Sequence, residues 1–302
     1  MGRKKVGRNV FSRRSMLLVG LVVLILTLSW LLPRSWNWPK TRGESFILHY
    51  FDVGQGDAAL VQCGRTQALI DGGPSRSVLR DLGRTMPFTD RQIEYVFLSH
   101  PHSDHFFGLF EVLERYQVRY LVLTEHSLEN AVGQDLAQLA DDRGVTLLPS
   151  EAGDIFGLGE CGQLKMLWPN KDSGQLAGIG RDWNNDLSQV LELRLADGQP
   201  IALFTGDINA LSEQELINRQ ALHPVSLLKV PHHGSRYSSS KPFVQVLAPD
   251  YAIISVGENN YSQPGSIVLL RYAASDVTVL RTDQQDAIDF ALSPDHPPRR
   301  LP

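Results

Sequence analysis

Directly after an apolar run at 93–99, the chain places four metal-ligating side chains within six residues: His100-Pro101-His102-Ser103-Asp104-His105. Imidazole nitrogen and carboxylate oxygen suit zinc, manganese or iron. The apolar run reads as a buried strand. Its end gives the cluster a rigid support, and the loop beyond lets side chains one and two residues apart converge on a common point. Any fold for this chain must therefore deliver a strand end to a metal site.

The remaining pattern supplies the strands. Apolar and β-branched runs predict strands at 46–53, 58–63, 66–70, 120–124, 145–149, 164–168, 188–195, 201–205, 225–230, 251–256, 277–281 and 287–292. Helices are expected at 77–86, 106–116, 129–142, 209–219, 239–247 and 265–274. The order is strand-rich, then mixed, and it occurs twice, which suits two sheets packed face to face with helices outside. No internal repeat or low-complexity tract interrupts it.

Charge divides the chain in two. Residues 1–42 hold nine basic side chains and no acidic one, leaving a net charge of −13 for 43–302. Within the leader, 16–32 is uncharged and almost wholly aliphatic, at the short end of what spans a bilayer. Six basic residues precede it, and Trp30, Trp36 and Trp38 sit at its outer end. The positive-inside rule then predicts a basic cytoplasmic tail at 1–15, a single-pass anchor at 16–32, a linker at 33–44 and a globule at 45–302 outside the cell membrane. A cleaved signal peptide lacks a small-x-small site after the span. Ser12-Arg13-Arg14-Ser15-Met16-Leu17 also resembles a twin-arginine export signal, so the export route stays open. Cys63 and Cys161 are too few for a disulfide framework; two unpaired core thiols are the favoured expectation, with a disulfide the alternative in an oxidising compartment.

The pattern H-x-H-x-D-H resembles the signature of the metallo-β-lactamase superfamily, which implies an α/β, four-layer αββα sandwich. By that resemblance His100 and His102 ligate one metal, and Asp104 and His105 the other. Asp207, in Gly206-Asp207 after an apolar strand, bridges both. Pro231-His232-His233-Gly234-Ser235 supplies one more ligand, with His233 preferred, while His232 contacts substrate or protonates the leaving group. Further segments narrow the match: Phe51-Asp52-Val53-Gly54-Gln55-Gly56-Asp57, Leu69-Ile70-Asp71-Gly72-Gly73, Asn184-Asn185-Asp186-Leu187-Ser188 and Ile253-Ile254-Ser255-Val256-Gly257. In this order they resemble the extracellular metallo-β-lactamase domain of the ComEC family of competence proteins, over about 46–292. The related phosphorylcholine esterases share a similar set.

The resemblance implies two divalent ions, zinc or manganese, with Asp104, Asp207 and His232 as catalytic side chains. Asp52, Gln55, Asp57, Asn184 or Asn185, and Ser235 are expected to bind substrate, and Asp71 to support the histidine loop. It favours hydrolysis of a phosphodiester, DNA foremost. Nothing in the residues identifies a protein partner.

Four features pull against DNA. Gln263 stands where the family carries a histidine in a G-H-P segment, and Phe106-Phe107-Gly108 replaces the usual glycine pair. One membrane span cannot conduct DNA. Nucleic-acid affinity rests mainly on basic side chains meeting phosphates, and the globule is acidic. Lys229, Arg236 and Lys241 offer at most a small basic patch. A smaller phosphodiester on an envelope polymer is the enzymatic alternative, and a surface protein that binds metal or nucleic acid without turnover is the other. His49, His126, His223 and His296 have no motif around them and are expected to be structural or exposed.

Overall fold

The computed structural model describes residues 46–173 and 183–302. The expected tail, anchor and linker lie outside the described residues. Among the described residues, no helix is long and apolar enough to cross a membrane.

Two sheets form the centre. The first contains β1 (Phe46–Tyr50), β2 (Ala59–Cys63), β3 (Thr66–Ile70), β4 (Gln92–Phe97), β5 (Gln117–Leu123) and β6 (Thr146–Pro149). The second contains β7 (Ile155–Gly157), β8 (Gly162–Trp168), β9 (Val190–Leu195), β10 (Pro200–Phe204), β11 (Leu227–Lys229), β12 (Tyr251–Ile254) and β13 (Thr278–Arg281). The chain then returns to the first sheet with β14 (Ile288–Ser293) and β15 (His296–Arg300), giving the order β15-β14-β1-β2-β3-β4-β5-β6.

Period-two alternation explains the layering. Phe46, Leu48 and Tyr50 of β1, with Ala59, Val61 and Cys63 of β2, face the core between the sheets, where they meet Leu191, Leu193 and Leu195 of β9. The intervening Leu60 and Leu69 face outward onto helices Ser77–Thr85, Ser103–Arg115 and Ala131–Asp142. On the second sheet, Leu203, Leu228, Ala252 and Ile254 likewise face helices Ala210–Asn218, Lys241–Leu247 and Ser266–Ala274. The result is the expected four-layer αββα sandwich.

Strands β3–β4–β5–β6 are mutually parallel, as are β10–β11–β12–β13. The loops after β3, β4, β10 and β11 carry Asp71, His100–His105, Asp207 and His232–His233, so residues distant in sequence meet at strand carboxyl ends, where parallel sheets hold their ligands.

Three details correct the sequence reading. Cys63 and Cys161 form a disulfide with a Cα–Cα distance of 5.9 Å, tying β2 to the entry of β8 across the core, rather than standing as free thiols. The helix expected over 129–142 runs over Ala131–Asp142, but a short helix, Glu125–Glu129, precedes it unforeseen; the Asn130 side chain accepts from Val132 N and starts the longer helix afresh. β15 was not foreseen: Pro297 and Pro298 argue against a strand interior, and β15 tolerates them because it is the sheet edge.

Candidate metal centre

The loop Asp71–Gly73 sets the position of the histidine cluster. Gly72 N donates to His105 O at 2.7 Å, and Gly108 N donates to Gly73 O at 3.1 Å. A Cβ on Gly108 would collide with the Gly72 carbonyl, so this glycine lets helix Ser103–Arg115 press against the loop. Asp71, at φ 60°, sits 1% exposed beneath the cluster. Its Oδ1 accepts from Ser99 N at 2.7 Å, and its Oδ2 accepts from His105 Nδ1 at 2.9 Å. Holding the proton at Nδ1 leaves the His105 Nε2 lone pair facing the cleft.

His233 is oriented by the same logic. Its Nδ1 donates to Ser255 O at 2.9 Å, which turns Nε2 toward Asp104 Oδ2 at 3.3 Å and Asp207 Oδ2 at 3.5 Å. Both His232 and His233 lie in the left-handed region, at φ 51°, inside the short turn Pro231–Gly234. Such backbone is costly for a residue with a Cβ and is kept where surrounding structure demands it. Here the turn sends His233 inward, 1% exposed, and leaves His232 half-buried at the cleft wall.

His105 Nε2 lies 3.5 Å from Asp207 Oδ1, and His100 Nε2 lies 3.9 Å from Asp207 Oδ2. Asp207 follows Gly206 and receives no help from solvent; its backbone N donates to Ser188 Oγ at 3.2 Å. His100 Nε2, His105 Nε2, His233 Nε2 and Asp207 Oδ1 are all buried with no hydrogen-bond partner. Buried polar atoms are almost always satisfied, so these orphans gathered around the Asp207 carboxylate match bound cations. Ligand atoms of His100, His105 and Asp207, and of Asp104, His105 and His233, lie within 4.8 Å of one another in each group. The donor set of imidazoles and carboxylates fits divalent zinc or manganese.

Without a cation, the charges settle on one another. Burial raises the Asp104 carboxyl, but His233 and His105 outweigh it and hold the pKa at about 2. Burial likewise opposes ionisation of Asp207, yet the three imidazoles around it keep it well below the usual carboxylate range. His100 is pushed well below its ordinary value by burial and by His105.

Beneath this set lies a second layer. Asp57, 5% exposed, is ion-paired with Lys229 and lies 3.2 Å from His233 Nδ1. Burial works against its charge, but Lys229, His233 and His105 more than compensate and lower its pKa. Asp57 thus lies beneath the centre and does not line the cleft, while its carboxylate, with Oδ1 buried and unpartnered, groups with Asp207 and His233 as a candidate ligand set. Lys229, 3% exposed, is likewise internal and no part of a basic surface patch.

The other expected residues separate in the same way. Gln55 and Asn185 line the cleft, a cavity of about 340 Å³ that also contains His102, Asp104, Asp207, His232 and His233. Gln55 Nε2 donates to Gln263 Oε1 at 2.9 Å, and Gln263 Nε2 donates to His232 O at 3.2 Å. Gln263 thus stays at the cleft as a brace. Asn184 stands between His102 and His126: its Nδ2 lies 3.5 Å from His102 Nε2, and its Oδ1 accepts from His126 Nε2 at 2.8 Å. His102 is half-buried, its ring edge-on to His100 at 4.6 Å, outside the tight ligand groups.

Asp52 does not line the cleft; its carboxylate accepts from Gly54 N at 3.2 Å and shapes the turn before Gln55. Ser235, 5% exposed, lines a neighbouring cavity. Of the histidines without a motif, His49 is locked between Asp289 and Gln62 and His223 against Glu192, whereas His126 reaches the centre through Asn184. A separate cavity of about 450 Å³ is lined by Glu125, His126, Glu129, Glu151 and Asp154, and among the described residues none of its lining joins the metal-ligand groups.

Comparison with known proteins agrees with this geometry. Residues 51–144 match the model of the metallo-beta-lactamase superfamily. ComE operon protein 3 of Bacillus subtilis is 29% identical, aligned to 79% of this chain and 32% of its own length. Competence protein ComA of Neisseria gonorrhoeae is 27% identical, over 80% of this chain and 32% of its own. The chain thus spans about a third of the curated relatives it matches. Igni18, a metallo hydrolase of Ignicoccus hospitalis, shares the fold at a TM-score of 0.52 and 14% identity, covering 82% of this chain and all of its own. With the histidine loop, Asp207 and His233 converging as described, the chain is similar to the metallo-β-lactamase domain of ComEC-type competence proteins.

Proposed function

We propose that this domain is a two-metal phosphodiesterase acting on DNA, held outside the cell membrane by the apolar segment 16–32. The observation that carries the proposal is the convergence of unpartnered His100, His105 and His233 Nε2 atoms on the Asp207 carboxylate. His100 and His102 would hold one ion and Asp104, His105 and His233 the other, with Asp207 shared. Divalent cations in such a site supply an acidified water and neutralise charge on phosphoryl oxygens.

The protein's own share is positioning. Asp71 and Ser255 fix the tautomers of His105 and His233. His232 Nδ1 lies 3.2 Å from Asn209 Oδ1, which aims Nε2 at the cleft. Burial keeps His232 below its ordinary pKa, favouring a neutral ring that contacts substrate over one that donates a proton. Asn185 Oδ1, buried without a partner at the cleft wall, is a further polar contact for substrate.

The Cys63–Cys161 disulfide supports the outward orientation, because such bonds persist in oxidising compartments. The net charge of −13 favours the second reading, a smaller envelope phosphodiester of the phosphorylcholine kind. The test is to incubate the detergent-solubilised chain with Mn²⁺ or Zn²⁺ and single-stranded DNA, duplex DNA or p-nitrophenyl phosphorylcholine. DNA cleavage that disappears in Asp207→Ala supports the leading reading; turnover of the choline ester alone supports the second.

A further inference from the structure

Beside the metal cleft lies a cavity of about 520 Å³ that shares His232, Tyr261 and Gln263 with it. Its outer wall is unusual for a solvent-facing surface. Tyr237 is 56% exposed, Tyr261 76% and Ile267 46%, and Arg236 is exposed beside them. An apolar rim of this kind costs solvation and marks a place where something docks.

The shelf is built on fixed backbone. Tyr237 O accepts from Ala210 N at 3.0 Å, and Arg236 Nη2 donates to Tyr237 Oη at 2.8 Å with its guanidinium 4.9 Å from the ring centroid. Asn259 Oδ1 accepts from both Tyr261 N and Gln263 N, at 3.0 and 3.1 Å, and its Nδ2 donates to Gly257 O and Gln263 O. Helix Ser266–Ala274 also begins in this cavity, and no side chain caps its start.

Two phenol faces, a guanidinium plane and an uncapped helix start form the complement of a planar base joined to a phosphate. We infer that this shelf stacks the nucleotide next to the scissile phosphate and so selects an unpaired strand over duplex; the inference rests on the phosphodiesterase reading above. Bases within a duplex are stacked on one another and cannot offer their faces to Tyr237 or Tyr261. Stacking also reconciles an acidic globule with a polyanionic substrate, because aromatic faces bind bases without requiring many phosphate contacts.

The test uses the detergent-solubilised full chain with Mn²⁺ and two esters that share one leaving group: thymidine 5′-(p-nitrophenyl phosphate) and methyl p-nitrophenyl phosphate. The readout is the ratio of kcat/KM for the nucleotide ester to that for the methyl ester. In Tyr237→Ala and Tyr261→Ala the ratio should fall by about 5- to 150-fold, and Tyr261→Phe should restore it. Unchanged ratios in both alanine variants, with wild type turning over both esters, overturn the shelf alone. A wild-type chain that hydrolyses neither ester overturns the phosphodiesterase reading and the shelf with it.

Discussion

Asp71→Asn isolates the part of the centre that lies one layer below the ligands. Asparagine tolerates the left-handed backbone at φ 60°, so the turn itself survives. The amide oxygen can keep the bond from Ser99 N, now made by Asp71 Oδ1 at 2.7 Å. The amide nitrogen then faces His105 Nδ1, where Asp71 Oδ2 accepts at 2.9 Å. Two donors cannot share that contact, so the ring proton moves to Nε2. That is the atom 3.5 Å from Asp207 Oδ1 and 3.9 Å from Asp104 Oδ2, and protonating it removes its lone pair from the cleft. Loss of such an outer partner weakens metal affinity by about 10- to 100-fold, which corresponds to roughly 1.4–2.7 kcal/mol. Competition of Zn²⁺ or Mn²⁺ between the protein and a chromogenic chelator reads this directly, with the metal-free melting temperature as a control for folding. Affinity within twofold of wild type, in a folded variant, would refute the claim that Asp71 orders His105 as a ligand.

Two other expectations follow from the same geometry. Lys229→Met leaves the buried Asp57 carboxylate without its partner, at a cost of about 3–5 kcal/mol; calorimetry should record a fall of roughly 6–20 °C, part of which Asp57→Asn restores. For His233, burial lowers the pKa but Asp207 and Asp57 outweigh it and lift it to about 10. In metal-free protein this raised value stabilises the fold fully below the ordinary histidine range, and the contribution is lost as pH climbs toward 10. The melting temperature of chelator-treated protein should therefore fall between pH 7 and 10, while metal affinity, which requires that proton to leave, should rise. A flat affinity profile across that interval contradicts the assignment of His233 as a ligand.

The contrast between His100–His105 and Asp57–Lys229 shows what the sequence could reveal. The histidine cluster is contiguous and follows an apolar run, so its chemistry and its support are both local. The apolar runs of β1 to β4 were legible for the same reason. Asp57 and Lys229 meet only because the end of β11 lies beside the turn before β2; Asp57 was expected to bind substrate and Lys229 to join a small basic patch. The Cys63–Cys161 pair is separated by 98 residues and had no spacing signal. The choice between His232 and His233 depended on a left-handed kink that composition does not encode. His126 was passed over because its contact with the centre runs through Asn184, and Gln263 because an amide lacks the histidine's chemistry while retaining its place.

The central claim is that His100, His102, Asp104, His105, Asp207 and His233 hold two divalent cations used in hydrolysis. Metal content of the purified full chain by mass spectrometry, measured alongside hydrolysis of methyl p-nitrophenyl phosphate before and after chelation, tests it most directly. The account predicts about two equivalents of zinc or manganese per chain, loss of turnover on chelation and its return when metal is restored. A chain that retains no metal when supplied with either ion, or one that hydrolyses the ester equally well in excess chelator, would contradict it.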